Sequence, residues 1–203
     1  MLLEKINIRD ITDEEYTAAL YLFPDIPKRG EDTKRTLAGR ILLKKMIKRL
    51  YGKEDFKLYY NENGKPLCDF CYFNISHSGD YAMCAVSERE IGVDTEQMLG
   101  FKKRERYMLF SAEETDYINE CDSENRFFTL WTMKEAYVKA IGGRLKNAAE
   151  INLVSNKTVN TSLGGFLFKT EYFNGYVITV CEKTGRPYEK FTCKNSGFYS
   201  RIG

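Results

Sequence analysis

The sequence predicts an α+β fold, and three features of it do so. Helical signals with a 3.6-residue period and capping boxes stand beside short apolar runs bounded by turn residues. The two kinds mix without the regular βαβ alternation of a doubly wound sheet. The chain has 203 residues, of which 43% are hydrophobic and 30% charged, the composition of a globular protein with a sizeable core. The longest apolar runs, such as Ala82 to Val86, are about five residues. A spanning helix needs about 18 or more, so no membrane segment is expected. The start Met1-Leu2-Leu3-Glu4-Lys5 lacks the apolar stretch of a signal peptide, which predicts a cytoplasmic location.

The elements follow in order. Leu2 to Ile8 alternates loosely and reads as an opening strand. Thr12-Asp13-Glu14-Glu15 is a capping box that starts a helix running to about Phe23, before Pro24 and Pro27. A basic helix is expected from about Asp32 to Tyr51, with Leu42, Leu43, Met46, Ile47 and Leu50 on one arc. Arg40, Lys44 and Lys48 rise on its other side, which Leu37 and Ile41 interrupt near the start. Phe56 to Tyr60 reads as a strand ended by the turn Asn61-Glu62-Asn63-Gly64. Tyr72 to Ser76, Tyr81 to Val86 and Ile91 to Thr95 are short strands. Helices are expected at 102–109, 112–120 and 125–141, with Gly142-Gly143 as the stop of the last. Residues 151–154, 165–170 and 176–181 return to β. The neighbourhood of Gly100 is the most plausible seam between two halves.

Charge is segregated. The formal net charge is +2, too small to suggest a nucleic-acid partner by itself. Between Lys28 and Lys53, however, ten Lys or Arg face only Glu31 and Asp32, while Ser111 to Asn125 holds six acids and no base. Such segregation suits a polyanion or a charged partner on one part of the surface, as well as two solvated helix faces. The six cysteines need not staple a chain of this size, and they are expected as free thiols.

Several constellations could carry chemistry. In Asp94-Thr95-Glu96 a strand would put both carboxylates on one face, where they repel unless a cation or a proton lies between them. All-oxygen ligation suits magnesium, and a solvated turn explains the same residues. Gly92 beside them lets another group approach the backbone closely. In Trp131-Thr132-Met133-Lys134-Glu135-Ala136-Tyr137-Val138-Lys139, Glu135 and Lys139 lie four apart on a helix that is apolar over most of its circumference. A charged pair there is partly buried and needs a partner or a ligand.

Asn74-Ile75-Ser76-His77-Ser78-Gly79 carries the only histidine. Ser and His are sequence neighbours and no Gly-x-Ser-x-Gly accompanies them, which disfavours a serine hydrolase and leaves phosphate contacts or a structural histidine. Gly64-Lys65-Pro66 presents a lysine on a stiff turn. Cys68-Asp69-Phe70-Cys71 has the spacing of a zinc or redox pair, but no second pair follows. Ser111 with Glu114 is a capping box.

The order and spacing of these motifs together resemble the 4′-phosphopantetheinyl transferases. The run comprises Gly64-Lys65-Pro66, Phe73 to Ser78, Ile91 to Glu96, Phe110 to Glu114 and Trp131 to Lys139, and it is joined by Glu31 to Arg40, similar to the coenzyme A-binding stretch. Length points to the larger, surfactin-synthetase-type class, in which one chain holds two similar α+β halves as a pseudo-dimer, rather than to the trimeric smaller class. The halves are expected at 1–100, with the basic segment and the metal-binding strand, and at 101–203, with the Trp-x-x-Lys-Glu-Ala helix.

The resemblance implies Mg-dependent transfer of the phosphopantetheine arm of coenzyme A to a serine of an acyl or peptidyl carrier protein, releasing 3′,5′-ADP, by a cytoplasmic monomer without nucleic acid or membrane partners. It implies Asp94, Glu96 and Glu135 as magnesium ligands and Lys139 against the phosphates. Lys65, Ser76 and His77 would bind phosphate oxygens, Arg35 and Thr36 the 3′-phosphate end. Glu114 is the candidate general base. Lys28 and Arg29 do not align cleanly with the remaining basic contacts. The basic run Lys102, Lys103, Arg104 and Arg106, with Phe101, Tyr107 and Met108, is the expected dock for an acidic carrier protein. A different magnesium phosphotransferase is disfavoured because no Walker-type Gly-x-x-x-x-Gly-Lys loop is present. A noncatalytic binding module is disfavoured by the retention of Glu96 and Glu135.

Overall fold

The computed structural model describes residues 1–24, 26, 30–99 and 108–185. The expected helix at 102–109, the seam at Gly100 and the basic dock at 101–107 therefore lie outside the described residues, apart from Met108 and Leu109, as do Lys28 and Arg29. Among the described residues, no helix is long and apolar enough to cross a membrane.

The fold is α+β. The described residues divide into two compact units, one on either side of the bond between Arg89 and Glu90. In the first unit, β1 (Leu2–Asn7), β4 (Tyr72–Ser78) and β5 (Tyr81–Ser87) form an antiparallel sheet in the order β1-β5-β4. Register sets Leu3 opposite Ala85 and Ser76 opposite Met83. Helix α1 (Asp13–Leu22) starts at the expected capping box, in which Thr12 and Glu15 satisfy each other's backbone amides. Helix α2 (Glu31–Tyr51) packs on this sheet through Leu42, Leu43, Met46 and Ile47, which meet Phe73, Cys84 and Val86. A short hairpin of β2 (Tyr59–Tyr60) and β3 (Pro66–Leu67) flanks the turn that carries Lys65. Only the last two residues of the expected strand at 56–60 join that ladder.

Two positions on α2 depart from the expected amphipathic pattern. Arg40, expected on the basic side, is 6% exposed and donates to the Tyr60 hydroxyl at 3.1 Å. Leu50, expected in the apolar arc, is 44% exposed. The cause is tertiary. Alpha-1 and the sheet cover the first half of α2 from two sides, so every residue from Leu37 to Leu43 is buried, while the last turn runs beyond that cover.

In the second unit, β6 (Ile91–Gln97), β9 (Ser162–Leu163), β10 (Phe166–Phe173) and β11 (Tyr176–Lys183) form an antiparallel sheet in the order β6-β11-β10-β9. A separate hairpin joins β7 (Val154–Ser155) to β8 (Thr158–Val159). Helix α3 (Ala112–Glu120) and helix α4 (Ser123–Ile141) complete the unit. Alpha-4 is apolar nearly all round because the sheet, α3 and the loop at 145–153 surround it. Phe127, Leu130, Trp131, Met133 and Ala136 lie in one core with Ile118, Leu153, Phe166 and Val177.

The expected seam near Gly100 puts β6 in the first half, whereas the division falls between Arg89 and Glu90. Register explains the difference. Beta-6 takes its whole ladder from β11, with Asp94 opposite Thr179 and Glu96 opposite Val177, rather than forming a hairpin with β5. The strand that carries Asp94 and Glu96 thus folds with the helix that carries Glu135.

Candidate active site

Beta-6 and α4 together build a carboxylate cluster inside the second unit. Alternation along β6 puts Asp94 and Glu96 on one face, as their spacing predicts. Asp94 is 2% exposed and Glu96 is half-buried at the end of the strand. Alpha-4 lies across β6 at close range because residue 92 has no side chain. A Cβ there would stand 1.9 Å from the carbonyl oxygen of Ala136 and 2.6 Å from the nitrogen of Ala140. This approach brings Glu135, the residue before Ala136, to the strand. One oxygen from each of Asp94, Glu96 and Glu135 lies within 4.8 Å of the others.

Three converging carboxylates need positive charge, and Lys139 supplies it. Its Nζ lies 2.5 Å from Asp94 Oδ1 and 3.3 Å from Glu135 Oε2, one turn along the same helix. Burial works against the ammonium charge, but Asp94 and Glu135 more than offset it and hold Lys139 above the ordinary lysine range. Burial pushes the Asp94 carboxyl above its ordinary value, Lys139 pulls it down, and Glu135 and Glu96 add to the upward push. The donor set is all oxygen, three carboxylates of one cluster, which fits a hard divalent cation such as magnesium. Among the described residues, this trio is the group of three carboxylates, thiols or imidazoles close enough to hold a metal.

Two side chains that sequence reasoning left without a role complete the setting. Trp131, 2% exposed, donates from Nε1 to Glu96 Oε1 at 3.0 Å, fixing the carboxylate from the side of the helix. Lys134 is wholly withdrawn from solvent, and its Nζ donates to the carbonyls of Leu109, Ala148 and Ile151 at 2.6–3.1 Å. It also pairs with Glu114 at 2.7 Å. A lysine on a helix otherwise apolar at that face was the available signal.

That network bears on Glu114, the candidate general base. Its carboxylate is also fully buried, and each oxygen is engaged. Oε2 accepts from the Ser111 amide at 2.8 Å and is ion-paired with Lys134, and Oε1 accepts from the Leu153 amide at 2.8 Å. The capping box predicted from Ser111 and Glu114 is present. A general base must reach a substrate proton. Here the geometry gives Glu114 an anchoring place in the core.

The remaining expected site residues lie in the first unit. Arg35 on α2 donates from Nε to the Gly79 carbonyl at 3.0 Å and pairs with Asp32 at 3.1 Å, which ties the helix to the turn that follows Ser76 and His77 on β4. Thr36 is one residue on, its hydroxyl donating to the Asp32 carbonyl at 2.8 Å. Ser76 is buried, His77 half-buried. Lys65 is half-buried at the entry to β3, its amide donating to the Asn61 side chain at 2.8 Å. Arg35 and the Ser76–His77 strand end are thus brought together, and Lys65 sits on the separate β2–β3 hairpin.

Comparison with known proteins agrees with this division of the chain. Residues 90–181 match the family described as the 4′-phosphopantetheinyl transferase superfamily, and residues 15–89 match the N-terminal family described as 4′-phosphopantetheinyl transferase. The chain is 32% identical to the 4′-phosphopantetheinyl transferase gsp of Aneurinibacillus migulanus over 164 residues, covering 74% of this chain and 69% of the relative. It is 36% identical to the 4′-phosphopantetheinyl transferase Sfp of Bacillus subtilis (strain 168) over 168 residues, covering 74% of this chain and 75% of the relative. With psf-1 of Bacillus pumilus it shares 33% identity over 119 residues, 55% of this chain and 51% of the relative. Both units fall within these matches, and the chain is an enzyme belonging to the 4′-phosphopantetheinyl transferase superfamily.

Proposed function

We propose that the chain transfers the 4′-phosphopantetheine arm of coenzyme A to a serine hydroxyl of an acyl or peptidyl carrier protein and releases 3′,5′-ADP, with magnesium held by Asp94, Glu96 and Glu135. The observation that carries this reading is the convergence of three carboxylates within 4.8 Å, with a lysine against two of them. In the reaction the serine oxygen bonds to the phosphorus that bears the pantetheine arm. The bond from that phosphorus to the bridging oxygen breaks, 3′,5′-ADP leaves with the electron pair, and the serine gives up its proton. When bound, magnesium would neutralise charge developing on the phosphoryl oxygens.

Lys139 offsets the charge of Asp94 and Glu135. With magnesium held by those carboxylates, the Lys139 ammonium would stand beside the site and serve the leaving phosphate. Trp131 keeps the Glu96 carboxylate oriented. Arg35, Thr36, Lys65, Ser76 and His77 are assigned to the phosphates of coenzyme A, Arg35 and Thr36 to its 3′-phosphate end. The link from Arg35 to the turn after His77 supports a shared task for those two. The reading is of a cytoplasmic monomer.

The test is the intact mass of an apo carrier protein after incubation with the chain, magnesium and coenzyme A. A gain of one phosphopantetheine arm, lost when the metal is chelated, is the expected result. An unmodified carrier in saturating magnesium contradicts the reading.

A further inference from the structure

The cysteine pair that the transferase chemistry leaves unused has the geometry of a redox-active dithiol. Cys68 and Cys71 span an irregular turn between β3 and β4. Their Sγ atoms lie 3.3 Å apart. Closing a disulfide requires an approach to about 2.0 Å, a movement within the reach of side-chain rotation when the backbone already holds both residues in one turn. The turn is held at both ends, by the pairing of β3 with β2 and of β4 with β5. In its middle, Phe70 packs edge-on against Tyr51 and Phe56.

The two sulfurs are not equivalent. In its protonated form Cys68 donates to the Cys71 carbonyl at 3.2 Å. Once ionised, it gains a hydrogen bond from the Cys71 thiol and, against the penalty of burial, further ones from backbone at residues 70 and 71. The balance holds Cys68 below the ordinary thiol range. The Cys71 thiol, which supplies that bond from a buried position, is pushed up correspondingly. Cys84 also lies in this core, but burial pushes its thiol up and no thiolate is favoured there.

We propose that Cys68 and Cys71 form a dithiol that a small hydroperoxide oxidises to an intramolecular disulfide. The Cys68 thiolate attacks one peroxide oxygen, the O–O bond breaks, a sulfenic acid forms, and the expelled hydroxide takes up the proton that Cys68 lost on ionising and leaves as water. Cys71 sulfur then attacks the sulfenic sulfur, and its S–H proton leaves with the expelled hydroxide as a second water. Two thiols and hydrogen peroxide give one disulfide and two waters, and the sulfurs lose the two electrons that the peroxide gains. Both residues are at most 4% exposed, which favours an oxidant of hydrogen peroxide's size.

The experiment treats the folded chain with hydrogen peroxide, denatures it, alkylates with N-ethylmaleimide and weighs it. Untreated protein should take six adducts, one for each cysteine. Treated protein should take four, with a 68–71 bridge in the peptide map and all six restored by dithiothreitol. In Cys71→Ser, Cys68 should stop at the sulfenic acid and be captured by dimedone, whereas in Cys68→Ser, Cys71 should give at least tenfold less capture. Six adducts after oxidation, or a bridge joining any other pair, overturns the proposal. These readouts do not depend on transfer to a carrier protein, so they stand or fall separately from the proposed activity.

Discussion

Gly92 and Ala136 touch backbone to backbone, so closely that a methyl group at residue 92 would lie 1.9 Å from the Ala136 carbonyl oxygen. That approach sets the distance between β6 and α4, and with it the distance from Glu135 to Asp94 and Glu96. Gly92→Ala should cost about 1–3 kcal/mol in stability, because neither a ladder strand nor a helix carbonyl can move aside cheaply. It should also weaken divalent-cation binding in the molecules that remain folded. Denaturant melts and a manganese titration measure the two effects. Wild-type values in both would show that the close approach does not position the cluster.

The bond from Trp131 to Glu96 predicts a different kind of defect. Partners that orient a metal-ligating side chain commonly contribute 10–100-fold to metal affinity. Trp131→Phe should therefore raise the magnesium concentration for half-maximal binding by about tenfold. The affinity for coenzyme A without metal should be unchanged. Equal metal affinity in variant and wild type would remove Trp131 from the site.

Lys134 and Glu114 form a pair with neither side chain exposed, so removing one partner strands a charge in the core. Lys134→Met or Glu114→Gln alone should lower stability by roughly 3–5 kcal/mol. The double variant should recover part of that loss, giving a coupling energy above about 0.5 kcal/mol in a denaturant-melt cycle. Strict additivity would show that the two do not act as a pair. Folded Glu114→Gln that retains transfer would place Glu114 outside the proton chemistry.

Much of this site is legible in the sequence because its groupings are local. The strand period puts Asp94 and Glu96 on one face, and the helix period puts Glu135 and Lys139 on another. Gly92 announces a close approach, though not which helix makes it. Illegible are the features that depend on partners far along the chain. Nothing near β6 says that its ladder comes from β11, which is why the seam is expected too late. The edge of the Trp131 indole that meets Glu96, and the burial of Arg40, are decided by the elements that pack around α2 and α4. Glu114 shows the limit of motif reasoning, since the capping box was readable and the lysine that completes its burial was not.

Arg35 and the 3′-phosphate can be tested by a cycle of substrate and variant. Arg35→Ala and Lys65→Ala should each raise the KM for coenzyme A more than they lower kcat. Dephospho-coenzyme A should be a poorer substrate for wild type, by about tenfold for each 1.4 kcal/mol that the 3′-phosphate adds to binding. For Arg35→Ala it should be little worse than coenzyme A itself. Losses that add in full would separate Arg35 from that phosphate.

The central claim is that Asp94, Glu96 and Glu135 hold a divalent cation as one site. Calorimetric titration of magnesium into the chain and into Glu135→Gln, with circular dichroism to verify that both are folded, tests it most directly. An amide keeps a ligand oxygen but removes the charge that magnesium needs. The account predicts one ion per wild-type chain and at least tenfold weaker binding to a folded Glu135→Gln. Equal affinity in the two proteins would contradict it.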